Sequence, residues 1–267
     1  MTRYAGIFDS HTHYDDAAFD ADRDSLLRSV LPEKGVCGVV NCGADLASSA
    51  ASAALAAKYA YIYAAAGIHP ECVKDLADGW EETLRSLLIK PKIVAVGEIG
   101  LDYHFAENAP RERQQEVFKR QVLLANELRT TDGHRLPVVV HDREAHADTL
   151  RILQELRPAG VVHCFSGSVE MARQILDLGM YIGLGGAVTF KNARVPVEVA
   201  AMVPEDRLLL ETDCPYMAPG PFRGTRNDSS LIAYTAERIA AARDTDPQAL
   251  IVLARRNAER LFGIPEE

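Results

Sequence analysis

Short runs of apolar and β-branched residues recur along this chain and alternate with segments of helical periodicity. The apolar runs predict eight strands, at 5–10, 36–42, 61–67, 93–99, 136–141, 160–165, 180–185 and 207–212. Apolar spacings of three and four between them predict helices at 21–31, 46–60, 79–88, 111–128, 145–156, 169–178 and 195–203. Two further helical segments, 231–243 and 247–261, follow the last strand.

The alternation indicates an α/β fold with a buried parallel sheet, because strands covered by helices on both faces are nearly continuously apolar. Eight strand–helix units favour a (β/α)8 TIM-like barrel with a C-terminal closing helix, although counting alone leaves a doubly wound open sheet possible. With 267 residues and 48% hydrophobic content, we expect one domain over 1–267. Asp132-Gly133-His134 predicts a surface turn before the fifth strand.

Charge and cysteine content narrow the functional classes. The net charge of −9 argues against a broad basic surface for nucleic acid, so a phosphate substrate would have to be attracted locally. Five cysteines without a CxxC pair suggest neither a disulfide framework nor a cysteine zinc cluster, and are typical of a reducing cytoplasm. The chain shows no signal-peptide pattern and no apolar run of membrane-spanning length. We therefore expect a cytoplasmic protein with no membrane association and no obligate protein partner.

Most predicted strands end on a histidine or a carboxylate. His11 and His13 close the first strand, and because side chains two residues apart point to the same face, one ion could bind both. Parallel barrels gather the carboxyl ends of their strands at one face, where active sites lie. A single histidine at a strand end is commonly structural, but the agreement of six ends favours a shared metal site. The other strand-end residues of this kind are His69, Glu98, His141, His163, Glu211 and Asp213.

This set of side chains suits two divalent ions. His11 and His13 would bind the first ion and His141 and His163 the second, with Glu98 bridging them and Asp213 completing the first site. Four imidazoles with two carboxylates favour Zn²⁺ by ligand softness, with Mn²⁺, Fe²⁺ and Mg²⁺ as alternatives. The nucleophile would be a metal-bound hydroxide, because coordination lowers the pKa of water from near 16 towards about 7. Asp213 would orient that hydroxide or receive its proton, and Asp9 would support the histidine pair from behind.

Longer motifs surround these positions and follow one another from Phe8 to Gly263. They are FDSHTHYDD (8–16), GIHPE (67–71), VGEIGLDYH (96–104), RQQEVFKRQVLLA (113–125), PVVVHDREA (137–145), VVHCFSG (161–167), TFKNA (189–193), LLLETDCPYMAP (208–219), RGTRN (223–227) and NAERLFG (257–263). In this order they resemble the TatD-type metal-dependent deoxyribonuclease family, a branch of the amidohydrolase-like barrels. The resemblance implies a TIM-like barrel, a binuclear metal site and hydrolysis of DNA phosphodiesters.

Carried over by motif, the resemblance implies particular roles for the strand-end residues. It makes His69 and Glu211 further catalytic-site residues, near the scissile phosphate or an additional ion. It also favours Asp213 over Glu211 as the ligand, a choice that spacing alone does not make. The implied metal ligands are His11, His13, Glu98, His141, His163 and Asp213.

Four cationic residues follow predicted strands at the same end and are candidate substrate-binding residues: Arg143, Lys191, Arg223 and Arg226. An arginine can hold a phosphate through two parallel hydrogen bonds, but each residue could instead cap a helix or pair with a nearby acid. The expected substrate is DNA, as single strands or ends. The alternatives are an ester or amide hydrolase, such as an aminoacyl-tRNA deacylase or a lactonase, and a metal-stabilised binding protein without turnover. The complete ligand set argues against the binding protein, and rim segments 103–113 and 219–230 would distinguish the enzymes.

Overall fold

Eight strands form the centre of the molecule, as the sequence predicts. The computed structural model describes residues 4–129, 133 and 135–265, so Asp132 and His134 of the predicted turn lie outside the described residues. The strands are β1 (Ile7–Thr12), β2 (Val36–Cys42), β3 (Ile62–Ala66), β4 (Ile93–Asp102), β5 (Val138–Arg143), β6 (Gly160–Val162), β7 (Tyr181–Leu184) and β8 (Leu208–Leu210).

The strands form one sheet in sequence order, and each pair of neighbours is parallel. An isolated parallel bridge between Thr12 and Cys214 joins the first strand to the segment after the last. There the amide of Asp213 donates to the carbonyl of His11 at 3.0 Å, and the amide of His13 donates to the carbonyl of Cys214 at 2.8 Å. These bonds bring the two edges of the sheet together. The (β/α)8 TIM-like barrel is confirmed, and the open doubly wound sheet is excluded.

The strand boundaries differ from the prediction at the carboxyl ends. β4 continues three residues beyond the predicted 93–99, whereas β6 and β8 stop before the ends of the predicted 160–165 and 207–212. Cys164 and Asp213 adopt left-handed backbone conformations, with φ of 43° and 59°, which are incompatible with a continued strand. His163 and Asp213 therefore follow their strands, while Glu98 lies within one.

Helices cover the outside of the barrel. They are α1 (Arg23–Ser25), α2 (Leu31–Glu33), α3 (Leu46–Lys58), α4 (Trp80–Leu88), α5 (Arg111–Glu127), α6 (His146–Leu156), α7 (Val169–Asp177), α8 (Arg194–Met202), α9 (Ile232–Arg243) and α10 (Pro247–Phe262). The predicted helix at 21–31 is instead α1, a π-helical turn at Leu26–Val30 and α2. Pro32 in α2 has no amide hydrogen for a helical bond, and the amide of Leu31 bonds to Leu26 across five residues.

Local sequence explains where several helices begin and end. Asp45 accepts a hydrogen bond from the amide of Ser48, whose side chain accepts from the amide of Asp45, so α3 begins with a reciprocal capping box. The last helix, α10, begins with Asp246 as its cap and Pro247 in its first turn. It ends at Gly263, which has a φ of 63° that glycine adopts at little cost.

The buried apolar residues form two groups, because successive side chains of each strand point to opposite faces of the sheet. The larger group joins strand residues such as Ile7, Val39 and Val96 to the apolar faces of the helices. The other consists mainly of strand residues facing the barrel interior, among them Phe8, Val40, Ala65, Val139 and Leu209, together with Ala258, Phe262 and Ile264. Because these last three belong to α10 and the residues directly after it, the C-terminal helix closes one end of the barrel. The metal-ligand candidates occupy the other end.

The helices of the described residues include none that is both long enough and apolar enough to cross a bilayer.

Candidate metal centre

The first two histidines converge at the end of β1. His11 is fully buried, and its Nε2 atom lies 3.1 Å from Nε2 of His13. Nδ1 of His13 lies 2.8 Å from the carbonyl oxygen of Cys42. A carbonyl oxygen can only accept, so Nδ1 donates and Nε2 is directed towards its neighbour as a lone-pair donor.

Glu98 connects this pair with a second pair of histidines. Its Oε2 atom lies 3.3 Å from Nε2 of His11 and 3.4 Å from Nε2 of His13. Its Oε1 atom lies 2.9 Å from Nδ1 of His141 and 2.8 Å from Nε2 of His163. Each carboxylate oxygen therefore faces one histidine pair, as expected for a bridging ligand.

Asp213 reaches the first pair from the segment after β8. Its Oδ1 atom lies 3.6 Å from Nε2 of His11 and 3.4 Å from Nε2 of His13. The left-handed backbone, a conformation that aspartate tolerates better than most residues, turns this side chain over the barrel mouth. We call His11, His13, Asp213 and Oε2 of Glu98 the first cluster, and His141, His163 and Oε1 of Glu98 the second cluster.

The spacing of the donor atoms fits metal coordination. Ligand atoms about 2.0–2.1 Å from a tetrahedral Zn²⁺ ion lie about 3.3–3.4 Å from one another. Within the first cluster the atoms of Glu98, His11 and His13 are 3.1–3.4 Å apart. Within the second, Nδ1 of His141 and Nε2 of His163 are 3.4 Å apart. Both clusters can therefore hold a divalent ion without a large movement of the side chains.

The electrostatics of the two clusters favour a cation. Burial by itself would raise the pKa of Glu98, but His163 and the other imidazoles around it hold that pKa well below its usual value. Burial would also raise the pKa of Asp213, and the hydrogen bond with His13 brings it below its usual value. Burial lowers the pKa of His11 to about 4, so this imidazole is neutral, as a metal ligand must be. Burial would also lower the pKa of His13, His141 and His163, but the carboxylates around them raise it above its usual value, so a metal ion would replace protons on these three imidazoles.

His69 lies beside the second cluster, and its hydrogen bonding differs from that of the ligand candidates. Its Nε2 atom is 3.3 Å from Oε1 of Glu98, while its Nδ1 atom accepts the amide of Glu71 at 3.3 Å. An imidazole nitrogen that accepts carries no hydrogen, so Nε2 holds the proton. His69 thus presents a hydrogen-bond donor to the cavity.

Glu211 lies behind the second cluster. Its Oε1 atom accepts the amide of Cys164, and its Oε2 atom is 3.5 Å from Oγ of Ser10. Burial raises the pKa of Glu211 to about 7. The absence of a side chain at Gly183 leaves space for this carboxylate, since a Cβ atom there would lie 2.4 Å from Oε2. The predicted catalytic role of Glu211 stays a prediction.

Asp102 is a residue of this centre that the sequence reasoning missed. It is fully buried, and its Oδ2 atom lies 3.2 Å from Nε2 of His141, whose other nitrogen faces Glu98. A carboxylate behind a ligand histidine fixes its tautomer and ring orientation. The signal was present in the sequence, because Asp102 follows Glu98 by four residues in the same motif.

Asp9 supports the backbone rather than the imidazoles, contrary to prediction. Its Oδ1 atom accepts the amides of Thr212 at 3.0 Å and of His11 at 3.3 Å, and its Oδ2 atom accepts the Thr212 hydroxyl at 2.6 Å. Nδ1 of His11 has no hydrogen-bond partner within the described residues. The carboxylate of Asp9 instead joins β1 to the segment after β8.

The four predicted substrate-binding residues lie in three different places. Arg143 lines a cavity of about 560 Å³ that contains the metal-ligand candidates, with its guanidinium 4.8 Å from the ring centre of Phe105. We call this the metal-centre cavity. Lys191 and Arg223 line another cavity of about 930 Å³. Arg226 forms two hydrogen bonds with Asp22, at 2.7 and 2.6 Å, which fasten its loop to the residues after β1. Its predicted contact with substrate is untested, and its observed partner is an acid.

Comparison with known proteins places this arrangement in a family. The family model described as "TatD related DNase" matches residues 8–263. The chain is 38% identical over 261 residues to the Bacillus subtilis "uncharacterized metal-dependent hydrolase YabD", covering 97% of this chain and 99% of the relative. It is 33% identical over 266 residues to the Citrobacter koseri "3'-5' ssDNA/RNA exonuclease TatD", covering 97% of this chain and 99% of the relative.

A solved structure supports the same assignment. The crystal structure of YJJV, a TatD homologue from Escherichia coli K12, is 32% identical to this chain and superposes with a TM-score of 0.89. The alignment covers 98% of this chain and 99% of that one. With the family model spanning nearly the whole chain, these matches show that the protein belongs to the TatD-related DNase family and is a metal-dependent hydrolase of that family.

Proposed function

We propose that this hydrolase is a deoxyribonuclease that cleaves phosphodiester bonds in DNA, acting on single strands or their ends. The observation that carries the proposal is the pair of clusters joined by the two oxygens of Glu98. Such a bridge suits two divalent ions, and the imidazole-rich donor set favours Zn²⁺. The name of the Citrobacter koseri relative, an exonuclease for single-stranded DNA and RNA, supports nucleic acid as the substrate.

The candidate ligands would together hold two ions. His11, His13 and Asp213 would hold one ion, His141 and His163 the other, and Glu98 both. Bound ions of this kind supply Lewis acidity and make a coordinated water more acidic.

Residues around the two clusters would handle protons and position the phosphate. Asp213 directs Oδ1 at the histidine pair, which leaves Oδ2, 4.0 Å from Sγ of Cys164, to accept the proton of the attacking water. On the opposite side, the Nε2 proton of His69 would be donated to a phosphoryl oxygen. Arg143 would pair with a phosphate oxygen at the rim.

One observation favours a second candidate, hydrolysis of an aminoacyl ester such as that of aminoacyl-tRNA. Asp15, Asp16 and Glu71 line the metal-centre cavity in addition to the ligand candidates. Carboxylates at this position would attract the ammonium group of an aminoacyl substrate and repel a phosphate. Two bound divalent ions would outweigh the carboxylates of Glu98 and Asp213 and, together with Arg143, would attract a phosphate, which favours the nuclease; a paired assay distinguishes the two.

We expect Asp213→Asn to reduce metal-dependent release of nucleotides from labelled single-stranded DNA by at least about 100-fold, because the variant loses the negative charge that binds the ion and accepts the proton. Circular dichroism and the melting temperature check that the fold survives. Asp177→Asn, an exposed carboxylate change on α7, is the matched control and should retain wild-type activity.

The same preparation is tested on aminoacyl-tRNA. If the wild type leaves DNA intact and hydrolyses the aminoacyl ester, the deoxyribonuclease proposal is wrong and the second candidate replaces it.

A further inference from the structure

A second cavity of about 930 Å³ lies at the same end of the barrel as the metal centre. Its walls come from the segments after β7 and after β8, and we call it the β7–β8 cavity. Ten residues line it, and those with polar or aromatic side chains are Thr189, Phe190, Lys191, Asn192 and Arg223. None of these lining residues is a carboxylate or a histidine, so the cavity differs in chemistry from the metal centre.

Two cations line this cavity. Within the described residues, Lys191 and Arg223 form no ion pair with a carboxylate. Several other exposed arginines of this acidic protein do form such pairs, as Arg113 does with Glu116 at 2.8 Å. In a chain with a net charge of −9, two such cations at one cavity indicate local attraction of an anion.

A flat surface accompanies the two cations. The guanidinium of Arg223 lies 4.3 Å from the ring centre of Phe190, and the ring is only half-buried. Aromatic rings and guanidinium planes are the surfaces on which unpaired bases stack. The cavity thus has cations of the kind that bind phosphate beside a flat surface of the kind on which bases stack.

The backbone connects this cavity firmly to the metal centre. The amide of Gly220 donates to Oγ1 of Thr189 at 2.7 Å, which ties the segment after β8 to the segment after β7. A Cβ atom at Gly186 would lie 2.1 Å from the carbonyl oxygen of Met217, so the two segments touch there too. Met217 and its neighbour Tyr216 line the metal-centre cavity. They are 37% and 54% exposed and form an apolar surface at the junction between the cavities.

We propose that the β7–β8 cavity binds the nucleotide that flanks the scissile phosphodiester, with Lys191 and Arg223 on its phosphate and the Arg223–Phe190 pair against its base. The inference rests on the proposed function, because a flanking nucleotide exists only if the substrate is a polynucleotide. In addition to the proposed function, the enzyme would distinguish an oligonucleotide from a small phosphodiester by means of a site that is separate from the metals.

The test compares short single-stranded DNA oligonucleotides with bis(p-nitrophenyl) phosphate, a phosphodiester without flanking nucleotides. With the metal-reconstituted enzyme, we expect Lys191→Ala/Arg223→Ala to lower the ratio of kcat/KM for a tetranucleotide to kcat/KM for the small diester at least tenfold. The slope of log kcat/KM against log salt concentration should become shallower by about 0.7 for each phosphate that the variant no longer neutralises.

Phe190→Leu separates stacking from charge. It should lower the same ratio about fivefold or more, as expected when a base no longer stacks on the ring, with the salt slope unchanged. Arg194→Ala is the matched control: Arg194 lies in the same segment but pairs with Glu198 at 3.5 Å, and it should leave both the ratio and the slope at wild-type values.

Three outcomes are distinguishable. A selective decrease in the Lys191/Arg223 variant, absent from the Arg194 variant, supports the inference. An unchanged ratio in an enzyme that cleaves oligonucleotides overturns the inference and leaves the proposed function intact. Cleavage of bis(p-nitrophenyl) phosphate without cleavage of any oligonucleotide overturns both.

Discussion

Single carboxylates determine the geometry of this centre. Glu98 faces both histidine pairs, whereas Asp102, four residues further along β4, contacts the outer nitrogen of His141. A carboxylate at that nitrogen keeps the proton on Nε2, so Nδ1 is free to bind the ion. One strand therefore supplies both the bridging group and the group that orients a ligand.

We expect Asp102→Asn to weaken metal binding at the second cluster, because a neutral amide makes the imidazole of His141 less basic. The affinity for one of the two ions should fall about 10- to 100-fold, the usual cost of removing such a partner. Competition with a chromophoric chelator measures this directly. Asp148→Asn, which alters a carboxylate bonded to Tyr103 and Arg151, should leave affinity unchanged. Equal affinities in all three proteins would mean that Asp102 has no positioning role.

At the scale of secondary-structure elements, individual side chains connect neighbouring segments in addition to the backbone hydrogen bonds of the sheet. Asp9 connects β1 to the segment after β8 through Thr212. At the opposite end, Lys92 precedes β4, and its Nζ atom donates to the carbonyls of Ala56, Tyr59 and Ala60 at 2.7, 2.6 and 2.9 Å. These carbonyls end α3 and lead into β3, so one ammonium group satisfies acceptors that the helix leaves unpaired.

Lys92→Met should lower the free energy of unfolding by about 1–2 kcal/mol, because it keeps the apolar stem and removes the donor for three carbonyls. Urea denaturation followed by circular dichroism gives the value. Lys90→Met, an exposed change two residues earlier, should shift stability by less than about 0.5 kcal/mol. If both variants unfold at the same urea concentration, the three hydrogen bonds of Lys92 do not stabilise the barrel.

At the scale of the whole molecule, buried ionisable side chains are concentrated in the metal centre. Buried carboxylates and histidines meet at one end of a barrel whose surface is acidic. Bringing ionised carboxylates out of water is costly unless a cation accompanies them. We therefore expect metal binding to stabilise the folded protein.

Gently purified protein should contain about two equivalents of divalent metal per chain by elemental analysis. Removal with a chelator should lower the melting temperature, and adding Zn²⁺ should restore it, because an ion at about 1,000 times its Kd stabilises the folded state by about 4 kcal/mol. Glu98→Gln should bind less metal and show a smaller restoration. One tightly held equivalent with full activity would contradict the binuclear proposal.

The hydrophobic pattern predicted the eight strand–helix units, but it left an open doubly wound sheet possible, which only the observed closure between β1 and the segment after β8 excludes. Strand and helix periodicities depend on local sequence, and the eight units appear in the predicted order. The ends of the strands were less predictable, since β4 is longer than predicted and β8 is shorter. In place of a regular helix at 21–31, the chain forms two short helices joined by a π-helical turn before Pro32. Such details depend on hydrogen bonds that the chain makes with distant segments.

Local pattern was sufficient to say which residue types reach the end of the barrel, because the alternation of side chains and the parallel order of strands follow from it. Which atoms meet there depends on the folded chain. Folding directs Oε1 and Oε2 of Glu98 to different histidine pairs, brings Asp102 against His141 and ties Arg226 to Asp22. It also separates Lys191 and Arg223 from the metal-ligand candidates into a cavity of their own. These contacts join residues far apart in the chain, and their distances depend on how the barrel closes, which no local pattern contains.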